Sequence, residues 1–63
     1  MPNVFIYWLE GKEKEQKRIV AEGLAKVMED AGIDRKVLSI NFIDVSPDNL
    51  AVGGVLLSER KKS

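Results

Sequence analysis

The chain has 63 residues, with ten acidic and ten basic side chains and neither cysteine nor histidine. That length fits a single domain (residues 1–63) able to bury only roughly 60% of its unfolded surface, so self-association is the leading route to stability without disulfides. The missing residue types exclude thiol and imidazole catalysis and the usual zinc ligands, which leaves no expected metal site. A net charge of zero lacks the electrostatic footprint of a nucleic-acid binder, and "ERKKS" at 59–63 reads as a solubilising end. No apolar run approaches the ~18 residues of a membrane span, and no basic n-region opens the chain, so a soluble cytoplasmic protein is expected.

In chain order, the first element is "VFIYWL", Val4 to Leu9, an unbroken apolar run of strand length that argues for cover on both faces. Alternation places Val4, Ile6 and Trp8 on one face and Asn3, Phe5, Tyr7 and Leu9 on the other. The period then changes. Val20, Leu24, Val27, Met28 and Ala31 recur at helical spacing, flanked by Ile19 and Ala25, and predict a helix over 13–31. Glu13 and Glu15 complement its dipole, Gly32 serves as its C-cap, and Glu22 and Lys26 form an i,i+4 pair. Gly23 weakens the helix interior, for which the sequence offers no reason.

A second strand is predicted over Val37–Val45, where Leu38, Ile40 and Phe42 alternate with Ser39, Asn41 and Ile43. "SPDN" at 46–49 is a turn, and "LAVGGVLL" reads as two short strands about Gly53-Gly54. Strand, long helix and strand in that order form a β-α-β unit with parallel strands, an α/β (α+β) architecture closed by a C-terminal hairpin. One helix covers one sheet face. Phe5, Tyr7, Leu9 and Ile43 on the other face then call for a second copy of the chain.

With no histidine or cysteine, the candidate catalytic groups reduce to carboxylates, lysines, Tyr7, serines and the nitrogen of Pro2. In mid-chain that nitrogen is an amide. Once Met1 is removed it is a secondary amine, basic enough to move protons near neutral pH. Taken alone, Pro2 is better explained as a proline that opens an edge strand and removes one unpaired N–H. Lys12 likewise reads as a solvated residue at a helix start, and Tyr7 and Trp8 as core or interface side chains. Glu10 reads as a strand-end acid. Asp44 and Asp48 each read as too isolated to be proposed as a carboxylate pair.

Four segments together sharpen the choice: Met1-Pro2, "LEGK" at 9–12, "EQK" at 15–17 and "AVGG" at 51–54. In this combination, and over nearly the whole chain, the sequence resembles the 4-oxalocrotonate tautomerase family of the small tautomerase superfamily. The resemblance implies a β-α-β fold with a short hairpin, assembled as dimers and usually homohexamers, and a cofactor-independent isomerase. Pro2 matches the family's catalytic base, which shuttles a proton between oxygen and carbon of a small enol or keto acid. Lys12 stands where the family has a carboxylate-holding arginine; lysine keeps the charge but loses the bidentate fork.

Ser39 falls at the family's second arginine, so that cation is absent. Leu50 falls at an aromatic wall position, Leu9 at an apolar pocket position, and Lys61 or Arg60 near a tail arginine. With one cation of the two, mono-acid enols of the phenylpyruvate type are expected to compete well with diacids. The implied activity is tautomerisation; a non-catalytic oligomer of the same fold with a decayed site is the alternative.

Overall fold

The computed structural model describes residues 1–60. Strand β1 (Asn3–Leu9) leads into helix α1 (Lys14–Asp30), and strand β2 (Ser39–Val45) returns parallel to β1. Strands β3 (Ala51–Val52) and β4 (Val55–Leu56) form an antiparallel hairpin. Single 3₁₀ turns occupy Arg35–Val37, Pro47–Asn49 and Leu57–Glu59. The expected β-α-β unit and short hairpin are therefore present.

The β1–β2 register is uniform, from Asn3 opposite Ser39 to Leu9 opposite Val45. Even-numbered residues of both strands share one face and odd-numbered residues the other. Val4, Ile6 and Trp8 are half-buried on the first face, while Phe5 and Tyr7 on the second are 60% and 71% exposed. A sheet face this apolar and this open is what the run from Val4 to Leu9 predicts when the helix covers one side only.

Helix α1 starts one residue later than its expected first residue, because Glu13 is its N-cap: the Glu13 N–H donates to Gln16 Oε1 at 2.8 Å. At the other end Gly32 adopts φ +87°, Gly32 N–H donates to the Glu29 carbonyl at 2.9 Å, and Ile33 N–H to the Met28 carbonyl at 2.9 Å. This paired closure satisfies two terminal carbonyls and fits the expected glycine stop. The buried stripe differs from the expected one. It keeps the expected Val20, Leu24 and Met28, half-buried, and adds Ala21 and the buried Ala25, whereas Ala31 is exposed and Val27 is 62% exposed. Val27 joins Ile19, 63% exposed, on an outer stripe with Gly23 midway between them, and a Cβ at Gly23 would meet nothing within 4 Å.

Two further corrections concern the β2 approach. The second strand was expected from Val37, but it starts at Ser39 because Asp34 organises a turn first. Its carboxylate accepts from the Lys36 N–H at 3.0 Å, and its carbonyl accepts from the Val37 N–H at 3.1 Å. Glu22, expected to pair with Lys26, pairs instead with Arg35, which also grips Glu29 with two N–H groups at 2.8 Å each. These contacts lower the Glu29 pKa, chiefly through the hydrogen bond from Arg35.

The hairpin turns on Gly53 and Gly54, with φ +62° and +83°, the two positive angles a mirror-image two-residue turn requires. The Leu57 N–H donates to the Leu50 carbonyl at 2.8 Å, closing the strand pair beyond the hairpin. Val52 and Val55 remain 49% and 45% exposed. The whole measures 44 × 23 × 16 Å with a radius of gyration of 15.2 Å. A compact chain of this length would give about 11 Å. Among the described residues only Ala25 is buried, and it keeps 9% of its surface exposed. A single copy therefore has an extended shape and almost no closed core.

Candidate active site

Parallel pairing sorts the expected site residues to two ends of the ladder. At the start, the Ser39 N–H donates to the Pro2 carbonyl at 3.1 Å, so Pro2 is tied to the sheet one residue before β1 begins. The Ser39 hydroxyl donates to the Asn3 side-chain oxygen, and Asn41 donates through Nδ2 to the Val4 carbonyl at 3.3 Å. The hydroxyl standing at the second-cation position is thus already engaged by its strand neighbour.

At the far end, Lys12 folds back over the strand. Its Nζ donates to the Leu9 carbonyl at 3.4 Å and lies 5.4 Å from the centroid of the Trp8 ring. Six strand steps separate Pro2 from Trp8, over which Lys12 lies, about 20 Å at the usual rise of 3.3 Å per residue. Pro2 and Ser39 are brought together, and so are Leu9 and Lys12, but one copy of the chain does not join the two pairs. Leu50 sits 37% exposed between the 47–49 turn and β3. Arg60 is exposed beyond the last 3₁₀ turn, with its N–H donating to the Leu57 carbonyl at 3.2 Å. Lys61 lies outside the described residues.

The far end also carries a network that the sequence reading passed over. Trp8 Nε1–H donates to Asp44 Oδ1 at 2.8 Å, and Lys17 Nζ donates to Asp44 Oδ2 at 2.7 Å. Trp8 stacks on Phe42 with ring centroids 5.2 Å apart and planes at 26°. The hydrogen bond from Lys17, then that from Trp8, holds the Asp44 carboxyl below the ordinary carboxylate range. A signal for this cluster was available in the alternation. Trp8 and Asp44 occupy the last even positions of two parallel strands, and Lys17 is in the first turn of the helix laid over that face.

The similarities to known proteins fit this fold. A sequence model described as "Tautomerase enzyme" matches residues 2–60. The chain belongs to the tautomerase family. Over 60 residues it is 37% identical to the probable tautomerase RSp1151 of Ralstonia nicotianae, covering 94% of this chain and 92% of that protein. The crystal structure of a 4-oxalocrotonate tautomerase homologue, TTHB242, superposes with a TM-score of 0.88 at 27% identity, covering 98% of this chain and all of that one. A heterohexameric 4-oxalocrotonate tautomerase from Chloroflexus aurantiacus J-10-fl gives a TM-score of 0.86 at 27% identity, covering 97% of this chain and 100% of that one.

Within this tautomerase-family chain the matched segment opens at Pro2, the residue whose carbonyl receives the Ser39 N–H ahead of the ladder. The first strand, the helix and the hairpin thus all fall inside the family's span.

The Asp44 cluster gives a pH prediction whose sign is set by the lowered carboxyl pKa. Ionised Asp44 contributes to stability above its unfolded pKa, and that contribution is lost as pH falls through the lower folded value. Trp8 is the single tryptophan, so its emission should report the change. In an acid titration the emission should shift with a midpoint below the reference 3.8, and Asp44→Asn should remove that transition. A midpoint at or above 3.8 would contradict the network.

Proposed function

We propose that this chain is a cofactor-free tautomerase interconverting enol and keto forms of a small unsaturated or 2-oxo acid, with the Pro2 nitrogen as base after Met1 is removed. The observation that carries this reading is the Ser39 N–H to Pro2 carbonyl bond at 3.1 Å, which anchors residue 2 against the sheet. An anchored secondary amine has a fixed lone pair, which a frayed terminus would lack. Family membership supplies the reaction class, and the absence of histidine and cysteine leaves few other bases.

The proton balance is simple. The neutral amine takes the proton of the enol hydroxyl, the oxygen's electrons form the carbonyl, and the double-bond electrons at carbon accept the proton back from the ammonium. Nothing is oxidised and no co-reactant is consumed. Lys12 holds the substrate carboxylate and favours the negative charge that develops on the enolate. A nearby ammonium and an apolar wall formed by Leu9 and Leu50 both disfavour a charged Pro2 amine, which lowers its pKa toward the working pH. Ser39 sits at the second-cation position, and Lys61 in the tail is a further candidate contact.

A small acid cannot span the ~20 Å between Pro2 and Lys12 of one strand. The proposed site is therefore completed by a second copy, with Lys12 of one protomer near Pro2 of another. The open face at Phe5 and Tyr7, the extended shape and the sparse core support a homo-oligomer. The heterohexameric relative makes a hexamer the favoured assembly, with a dimer as its smallest unit. None of the described helices is long and apolar enough to cross a membrane, in keeping with the proposed cytoplasmic setting.

Acetylating the Pro2 nitrogen, or retaining Met1, should abolish tautomerisation of the phenylpyruvate enol while circular dichroism stays unchanged. Pro2→Ala keeps a terminal amine, primary and more mobile, and should retain a reduced activity. The pH profile of kcat/KM should rise along one limb set by the amine of the free enzyme. Full activity in protein whose intact mass includes Met1 would rule this mechanism out, whereas Met-free protein that folds and assembles without activity would favour the decayed-site alternative.

Tyr7→Glu tests the assembly. A carboxylate on the open sheet face would be buried unpaired between subunits, at a cost large enough to dissociate them. Sedimentation should give an oligomer for the natural sequence and a monomer for the variant. A natural-sequence monomer that is fully active would defeat the shared site.

A further inference from the structure

Lysine at position 12 poses a problem that the fold answers locally. A lysine ammonium is a point charge on a flexible four-carbon stem, and a poor substitute for a planar guanidinium fork in fixing a carboxylate. In this chain the stem is not free. Lys12 Nζ lies over the Trp8 ring at 5.4 Å from its centroid, inside the ~6 Å range of a cation–π contact, and it also donates to the Leu9 carbonyl. The ring is itself fixed from two further directions. Its N–H is held by Asp44 Oδ1 at 2.8 Å, and it stacks on Phe42 at 5.2 Å. Lys17 takes the other oxygen of Asp44 at 2.7 Å, so the carboxylate cannot turn toward Lys12 without breaking that pair.

We propose that Trp8 is a positioning residue for Lys12, and that the Trp8–Asp44–Lys17 assembly sets a preference for substrates with a single carboxylate. This rests on the reading above that Lys12 binds substrate. One of the three ammonium protons is directed to the Leu9 carbonyl, which leaves two for an incoming carboxylate. The indole face stabilises the cation without supplying an anion, so the positive charge stays available to substrate. Asp44 attracts the Lys12 ammonium only through space, because its two oxygens are taken by the indole N–H and Lys17. The second carboxylate of a diacid finds no comparable partner in Ser39, whose hydroxyl is engaged by Asn3. The device thus compensates for the missing fork by preorganisation, at one carboxylate only.

The test is a double-mutant cycle in Met-free protein, measuring KM and kcat for the enol of phenylpyruvate. Lys12→Met should raise KM; if it leaves KM unchanged, the substrate role of Lys12 fails and this inference fails with it. Given that rise, Trp8→Leu in the natural background should raise KM by about three- to thirtyfold, the range expected for a cation–π contact, with a smaller change in kcat. In the Lys12→Met background the same Trp8→Leu change should alter KM less than twofold. Trp8→Phe keeps a ring but cannot bond Asp44, and should fall between tryptophan and leucine. A Trp8→Leu effect of equal size in both backgrounds would mean that Trp8 only packs, and would overturn the proposal while leaving Lys12's role intact. Should Trp8→Leu fail to assemble by sedimentation, Asp44→Ala takes its place in the cycle. Its effect on KM should likewise vanish with Lys12→Met, and an undiminished effect would overturn the proposal.

Discussion

The structure depends on one constraint, the parallel pairing of β1 with β2 in a single unbroken register. That ladder ties Pro2 to Ser39 at one end and places Trp8, Asp44 and Lys12 at the other. It also divides the side chains cleanly, with the even row against α1 and the odd row open. A slip of one residue would turn Phe5 and Tyr7 toward the helix and Trp8 away from it, destroying the Trp8–Asp44 bond. The fold and the placement of the candidate site residues are therefore not separable in this chain.

The same ladder explains why one copy is incomplete. A two-stranded sheet with one helix has a covered face and a bare one, and the hairpin is a separate two-stranded pair. A radius of gyration of 15.2 Å with a single buried residue among those described fits the proposed association. The proposed catalysis needs the same meeting, since the base and the carboxylate-binding lysine lie a strand's length apart. Association would then both stabilise the chain and assemble the chemistry. This economy suits 63 residues, which are too few to build a buried site within one copy.

Much of this was legible in the residues. The unbroken run from Val4 to Leu9, the change to helical spacing, Gly32 as a stop and Gly53-Gly54 as a turn all follow from local backbone and patterning rules, and each is present. What failed was non-local or cooperative. Val37 left the strand because Asp34 builds a turn around it, and Glu22 chose Arg35, thirteen residues on, over Lys26. Val27 carries core chemistry but points outward, because a helix over a narrow two-stranded sheet buries only a thin line through Leu24, Ala25 and Met28. Asp44 looked isolated only because its partners lie on two other elements; fixing the strand register brings Trp8 to it. For the site, Pro2, Lys12, Ser39, Leu9 and Leu50 came from resemblance to a family. Their division between two ends of a ladder came from the register.

Subunit complementation tests the central claim, a site shared between copies, most directly. Protein acetylated at the Pro2 nitrogen and Lys12→Met protein should each be severely impaired alone at substrate concentrations below KM. After subunit exchange, mixed oligomers contain sites that pair an intact Pro2 from one chain with an intact Lys12 from the other. The account predicts that tautomerase activity returns in the mixture and not in either parent. A mixture whose exchange is verified by native mass spectrometry, yet whose activity stays at the level of its parents, would contradict it.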